Sequence, residues 1–179
     1  YHLILLCKNE EGYRNLIHMV SLSFSEGFYN KPRIDWELLK QYHSGLIAMS
    51  ACLAGEVASK ILQQNYEGAK QTALNSREVF GDDYYLEIQD HHLAEDDDVC
   101  RGVMRIAEET GIPLVATNDA HYTRKEDAHM QDVLMCIQTG KTGDDIDRMR
   151  FETEEFYLKS EEEMAALFPA LPEAVANTV

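Results

Sequence analysis

Apolar positions follow two rhythms along the chain: short continuous runs, and longer stretches in which they recur every three or four residues. Residues 2–7 are a run of the first kind and predict a strand. Tyr13, Leu16, Ile17, Val20 and Phe24 then recur at helical spacing, which predicts a helix over residues 10–24 whose apolar stripe covers the sheet. Gly27 and Pro32 interrupt the pattern, and Asp35 stands as an N-cap before Trp36, Leu38, Leu39 and Tyr42. Residues 45–50 form the second strand, a helical segment opens near Glu56, and another helix spans 67–80 with Gly81 as its stop. A third strand over 84–89, a helix over 95–110 closed by Gly111, and a fourth strand over 113–117 complete the regular alternation.

Beyond residue 117 the pattern loosens. Residues 124–138 read as a helix with Met130, Val133, Leu134 and Ile137 on one side and Gly140 as its stop. Residues 156–158 read as a short extended piece, Ser160 with Glu163 as a capping box, and Pro172 as the start of one more helix. Apolar runs alternating with amphipathic helices predict an α/β domain with mainly parallel strands, and with no internal repeat a single domain over 1–179 is expected. Regular structure at both ends suggests a sequence cut from a longer protein.

Composition narrows the function classes. A 45% hydrophobic content is enough for one soluble core, no apolar run is long enough to span a bilayer, and residues 1–7 lack the features of a signal peptide, so a cytoplasmic address with no membrane contact is expected. Acidic residues number 32 against 16 basic, a formal net charge of −16, which argues against a general DNA-binding surface. The acidic runs 95–98 and 161–163 read as solvated first turns of helices. Cys7, Cys52, Cys100 and Cys136 are far apart, form no Cys-x-x-Cys pair, and read as buried thiols.

Three places can carry chemistry. Asp119 and His121 stand two apart just after the fourth strand, so an extended chain sends both side chains into one space, a chelating arrangement at a strand's C-terminal end; a surface turn with a capping Asp fits the same residues. Glu87, Gln89 and His91 share one face of the third strand, which turns either to solvent on an edge strand or to a hydrated cavity. Glu56 opens a helix, where a carboxylate commonly opposes the dipole; together with His91, Asp119 and His121 it makes an oxygen and nitrogen set suited to zinc, manganese or iron. His2, His18, His43 and His129 read as structural or exposed, and no glycine-rich phosphate loop, Gly-x-Ser-x-Gly elbow or Cys-His-Asn set is present.

Seven segments, taken in order, resemble one family. They are Lys8 to Leu16 (KNEEGYRNL), Lys31 to Asp35 (KPRID), Ser50 to Glu56 (SACLAGE), Gln89 to His91, Ala116 to Tyr122 (ATNDAHY), Cys136 to Lys141 and Tyr157 to Ser160. They resemble the polymerase and histidinol phosphatase (PHP) domain of bacterial DNA polymerase III alpha subunits, over essentially the whole chain. The resemblance implies a distorted (β/α)₇ barrel, related to the TIM barrel, here partial and lacking its N-terminal strands. It also implies that Glu56, His91, Asp119 and His121 are metal ligands of a phosphoesterase or 3′–5′ exonuclease site.

The same resemblance implies partners: the remainder of the polymerase alpha subunit, DNA through that subunit, and in some members a separate proofreading exonuclease subunit for which the domain is a scaffold. Keeping both Asp119 and His121 resembles the ligand-complete kind. The family's opening His-x-His element and the palm domain with its catalytic aspartates are not among these residues. Weak or absent metal binding and no nuclease activity are therefore expected of residues 1–179 alone.

Overall fold

Four strands and eight α-helices form within residues 1–179, all of which the computed structural model describes. β1 (Ile4–Cys7), β2 (Leu46–Met49), β3 (Tyr84–Ile88) and β4 (Leu114–Ala116) make one sheet in that order. β1 runs antiparallel to β2, with Ile4 opposite Met49, whereas β2, β3 and β4 are parallel. The sheet is open, with β1 and β4 at its edges, so no closed barrel is present. Four strands of three to five residues are too few to wrap a sheet onto itself, which takes about eight in barrels of this kind. β3 lies inside the sheet, which removes the edge-strand interpretation of its polar row.

The helices are α1 (Glu10–Ser25), α2 (Trp36–Tyr42), α3 (Glu56–Leu62), α4 (Tyr66–Phe80), α5 (Ala94–Thr110), α6 (Ala128–Thr139), α7 (Glu161–Leu167) and α8 (Pro172–Ala176). Their ends follow side-chain chemistry visible in the sequence. Asp35 accepts the Leu38 N–H at 2.9 Å, and Ser160 and Glu163 satisfy each other's backbone N–H groups. Gly111 ends α5 and Gly140 ends α6, both left-handed at φ +69° and +66°.

Leu46 and Ala48 from β2, Leu86 and Ile88 from β3, and Val103 and Ile106 from α5 are all essentially water-free. They belong to a continuous core of 19 residues, of which only Phe168 and Ala174 lie beyond residue 117. The segment after β4 is therefore held mainly by other means, which matters for the site below.

Two apolar stripes face the other way from expectation. Tyr13, Ile17, Val20 and Phe24 of α1 are exposed, Phe24 by 61%, and α1 turns Gly12, Met19 and Ser23 inward instead. Small residues allow the close approach: a Cβ on Gly12 would stand 1.8 Å from the Gly45 carbonyl oxygen, so the helix can sit against the start of β2 only without a side chain there. On α6, Met130, Leu134 and Ile137 are likewise exposed, and Met135 and Cys136 are the buried pair. Among the cysteines only Cys136 is buried; Cys7 is exposed, Cys52 and Cys100 are half-buried, and all four are free.

Candidate functional site

β3 and β4 are parallel, with Ile88 beside Ala116, so the loops leaving both strands open on one rim of the sheet. Gln89 and Thr117 tie those loops together through Nε2 and Oγ1 at 2.8 Å. His91 follows on the β3 side and is 3% exposed. Its Nε2 accepts the backbone N–H of Asp119 at 3.2 Å, which leaves the ring proton on Nδ1, 3.7 Å from Asp96 Oδ2. Asp96 also accepts the backbone N–H groups of His91 (2.8 Å) and Leu93 (3.3 Å). Burial alone pushes the Asp96 carboxyl up, but the His91 ring and these two N–H groups more than reverse it and hold it below its ordinary value.

Asp119 and His121 do project together, as their spacing predicts. Asp119 Oδ1 lies 3.3 Å from His121 Nε2, with the two side chains 38% and 39% exposed. The His121 ring leans on Phe151 at 4.8 Å, and its backbone N–H donates to the Phe156 carbonyl at 2.7 Å. His91, Asp119, Cys52, Gln89, Phe151 and Phe156 line a common cleft of about 340 Å³.

Glu56 sits elsewhere. It is in the first turn of α3, where Oε1 accepts from Lys60 Nζ at 2.8 Å and from Thr72 Oγ1 at 3.3 Å. It lines a separate cavity of about 360 Å³ with Arg33, Trp36, Ser76 and Tyr84.

Two contributors to the rim, Asp96 and Phe156, were not singled out from the sequence, and a third, Glu87, was named only as part of the polar row on β3. Asp96, placed among solvated acids, is 3% exposed and anchors His91. Its position three residues after Leu93, at the start of a helix, is the pattern of a carboxylate reaching back to the residue before that helix. Glu87, 5% exposed, accepts from the Ala51 N–H and from Thr117 Oγ1, and burial raises its pKa. Its hydrogen bonds support the left-handed backbone of Ala51 at φ +66°. Phe156, far away in sequence, stacks on His91 with ring centroids 4.5 Å apart and planes 1° from parallel. Nothing local in the sequence signals that contact.

These side chains were tested as donors to one cation. Asp119 and His121 fit as a chelating pair, but Glu56 is held by Lys60, and the Nε2 lone pair of His91 is taken by a backbone N–H. No group of three or more His, Cys, Asp or Glu side chains is placed to hold one ion. A protein zinc centre takes three or four protein ligands, so the residues as arranged do not fit a resident metal and supply two donors.

Comparison with known proteins places this rim in a family. The sequence profile of the PHP domain matches residues 1–91, which include Glu56 and His91. The chain belongs to the PHP domain family. As a PHP domain chain it is 49% identical over 179 residues to the DNA polymerase III subunit alpha of Borreliella burgdorferi and 51% identical over 180 residues to that of Treponema pallidum. It is 45% identical over 169 residues to that of Thermus aquaticus. This PHP chain spans 16%, 15% and 14% of those three proteins, respectively. No helix in it is long and apolar enough to cross a membrane.

Proposed function

We propose that residues 1–179 serve as a single partial PHP domain, an incomplete (β/α)₇ barrel, within a cytoplasmic bacterial DNA polymerase III alpha subunit. In that setting the enzyme is a DNA-directed DNA polymerase, and the chain meets DNA only through the rest of the subunit, since its own net charge of −16 repels a phosphate backbone. The observation that carries this reading is near 50% identity along the full chain to two alpha subunits.

Within this reading Glu56, His91, Asp119 and His121 are the chain's contribution to a metal-dependent phosphoesterase or 3′–5′ exonuclease site using zinc, manganese or iron. Asp119, which lines the cleft, already stands beside His121. Glu56 and His91 would first have to exchange their present partners, so the isolated chain is inactive. A second reading, a non-catalytic scaffold that holds a proofreading subunit, is supported by the satisfied state of Glu56 and His91 and by the exposed apolar residues of α1 and α6.

The test is a chimera. Residues 1–179 replace the matching segment of the Treponema pallidum alpha subunit, and primer extension is measured. Extension at a rate comparable to the parent subunit is expected; a soluble chimera without extension contradicts the assignment.

A further inference from the structure

The segment between α6 and α7 lies across the rim, and the geometry points to Phe156 as a positioning residue that sets His91 and the Asp119–His121 loop relative to one another. Phe156 is 6% exposed, yet it is not part of the continuous core. One face of its ring stacks on His91, and its edge meets the His121 ring at 5.8 Å and 75°. The same residue's carbonyl accepts the His121 N–H at 2.7 Å and the Tyr122 N–H at 3.3 Å. A single residue therefore touches both histidines.

Its neighbours repeat the pattern. Thr153 Oγ1 donates to the His91 carbonyl at 2.7 Å, Leu158 N–H donates to the Tyr122 carbonyl at 3.1 Å, and Lys159 N–H donates to Asn118 Oδ1 at 3.2 Å. Tyr157 forms a parallel bridge with Tyr122. Residues 153–159 are thus fastened to the β3 loop through Thr153, Glu155 and Phe156 and to the β4 loop through Phe156, Leu158 and Lys159.

An aromatic stack fixes the plane of a ring, whereas a hydrogen bond fixes one direction within it, and His91 needs both for Nε2 to meet the Asp119 N–H. Without the stack the imidazole can rotate about χ2, the Asp119 amide loses its acceptor, and the loop that presents the Asp119–His121 pair loosens. This role deepens the metal-site reading and rests on it for its chemistry, but the positioning itself can be observed without any metal.

Amide hydrogen exchange followed by NMR on the full 179-residue chain tests it. The Leu86 N–H, bonded to the Pro113 carbonyl in the core, reports global opening; the Asp119 N–H reports the rim. In Phe156→Leu the Asp119 rate is expected to rise roughly tenfold relative to the Leu86 rate, the loss of about one net hydrogen bond. The His91 ring protons should also lose their stacking-shifted resonances. Phe168→Leu, at a comparably buried aromatic in the core, is expected to move both amides in proportion and leave the His91 shifts in place. An unchanged Asp119 to Leu86 ratio in Phe156→Leu, or an equal change of ratio in Phe168→Leu, overturns the assignment. If Phe156→Leu does not fold, Thr153→Val supplies the same comparison by removing the hydroxyl on the His91 carbonyl. Zinc binding by the wild-type chain, weak or absent, bears on the site reading alone, because the amide ratio decides positioning in either case.

Discussion

Two carboxylates follow parallel strands on either side of β3, Glu56 after β2 and Asp119 after β4, and they end in different chemical states. Glu56 heads a helix that places Lys60 one turn later, so an i,i+4 ion pair closes over it and Thr72 adds a hydroxyl. Asp119 follows a strand into a loop without a helix, where its neighbour two residues on is His121 and no lysine or arginine meets it. A rim position alone therefore does not leave a carboxylate open to a cation. The element that follows the strand decides whether the charge is neutralised at once or left for an incoming cation.

The comparison breaks most sharply at Asp96, on which the open site depends and the closed one does not. Asp96→Ala leaves the His91 and Leu93 N–H groups without an acceptor in a buried place and is expected to cost about 2–3 kcal/mol in urea denaturation. A loss below about 0.5 kcal/mol would mean that water replaces the carboxylate without penalty, and the buried anchor would have to be abandoned.

Glu87 gives a smaller and pH-dependent effect. Burial raises its folded pKa above the ordinary 4.5, so the folded chain holds this proton more tightly than the unfolded chain. Its contribution is accordingly most favourable at low pH and is lost as pH rises from about 4.5 through the folded value. Glu87→Gln removes that titration. The difference in unfolding free energy between variant and wild type, followed from pH 4 to pH 8, is expected to shift in favour of the variant as pH rises; a flat difference would show that Glu87 is hydrated like an ordinary surface acid.

Much of this contrast could be read from residue order. The strands, the N-caps at Asp35 and Ser160, and the glycine stops at 111 and 140 all rest on interactions within a few residues, and the structure shows them close to where pattern placed them. The Asp119–His121 juxtaposition was legible for the same reason. Periodicity did identify the apolar stripes of α1 and α6, but a stripe does not say which neighbour covers it, and Gly12 drew α1 in by its other face. Lys60 beside Glu56 was present in the sequence as an i,i+4 pair, yet its consequence for the candidate ligand becomes plain only with Thr72 across the helix interface. The Thr153–His91 contact joins residues 62 apart, and no local pattern encodes it.

The difference between the two carboxylates is tested most directly by titrating the 179-residue chain with zinc and following heat, for the wild type, Asp119→Asn and Glu56→Gln. Two donors predict weak binding, with Kd about 10 µM or higher, lost in Asp119→Asn and unchanged in Glu56→Gln. Submicromolar binding that Glu56→Gln abolishes would contradict it, since Glu56 would then have left Lys60 and joined Asp119 around one ion.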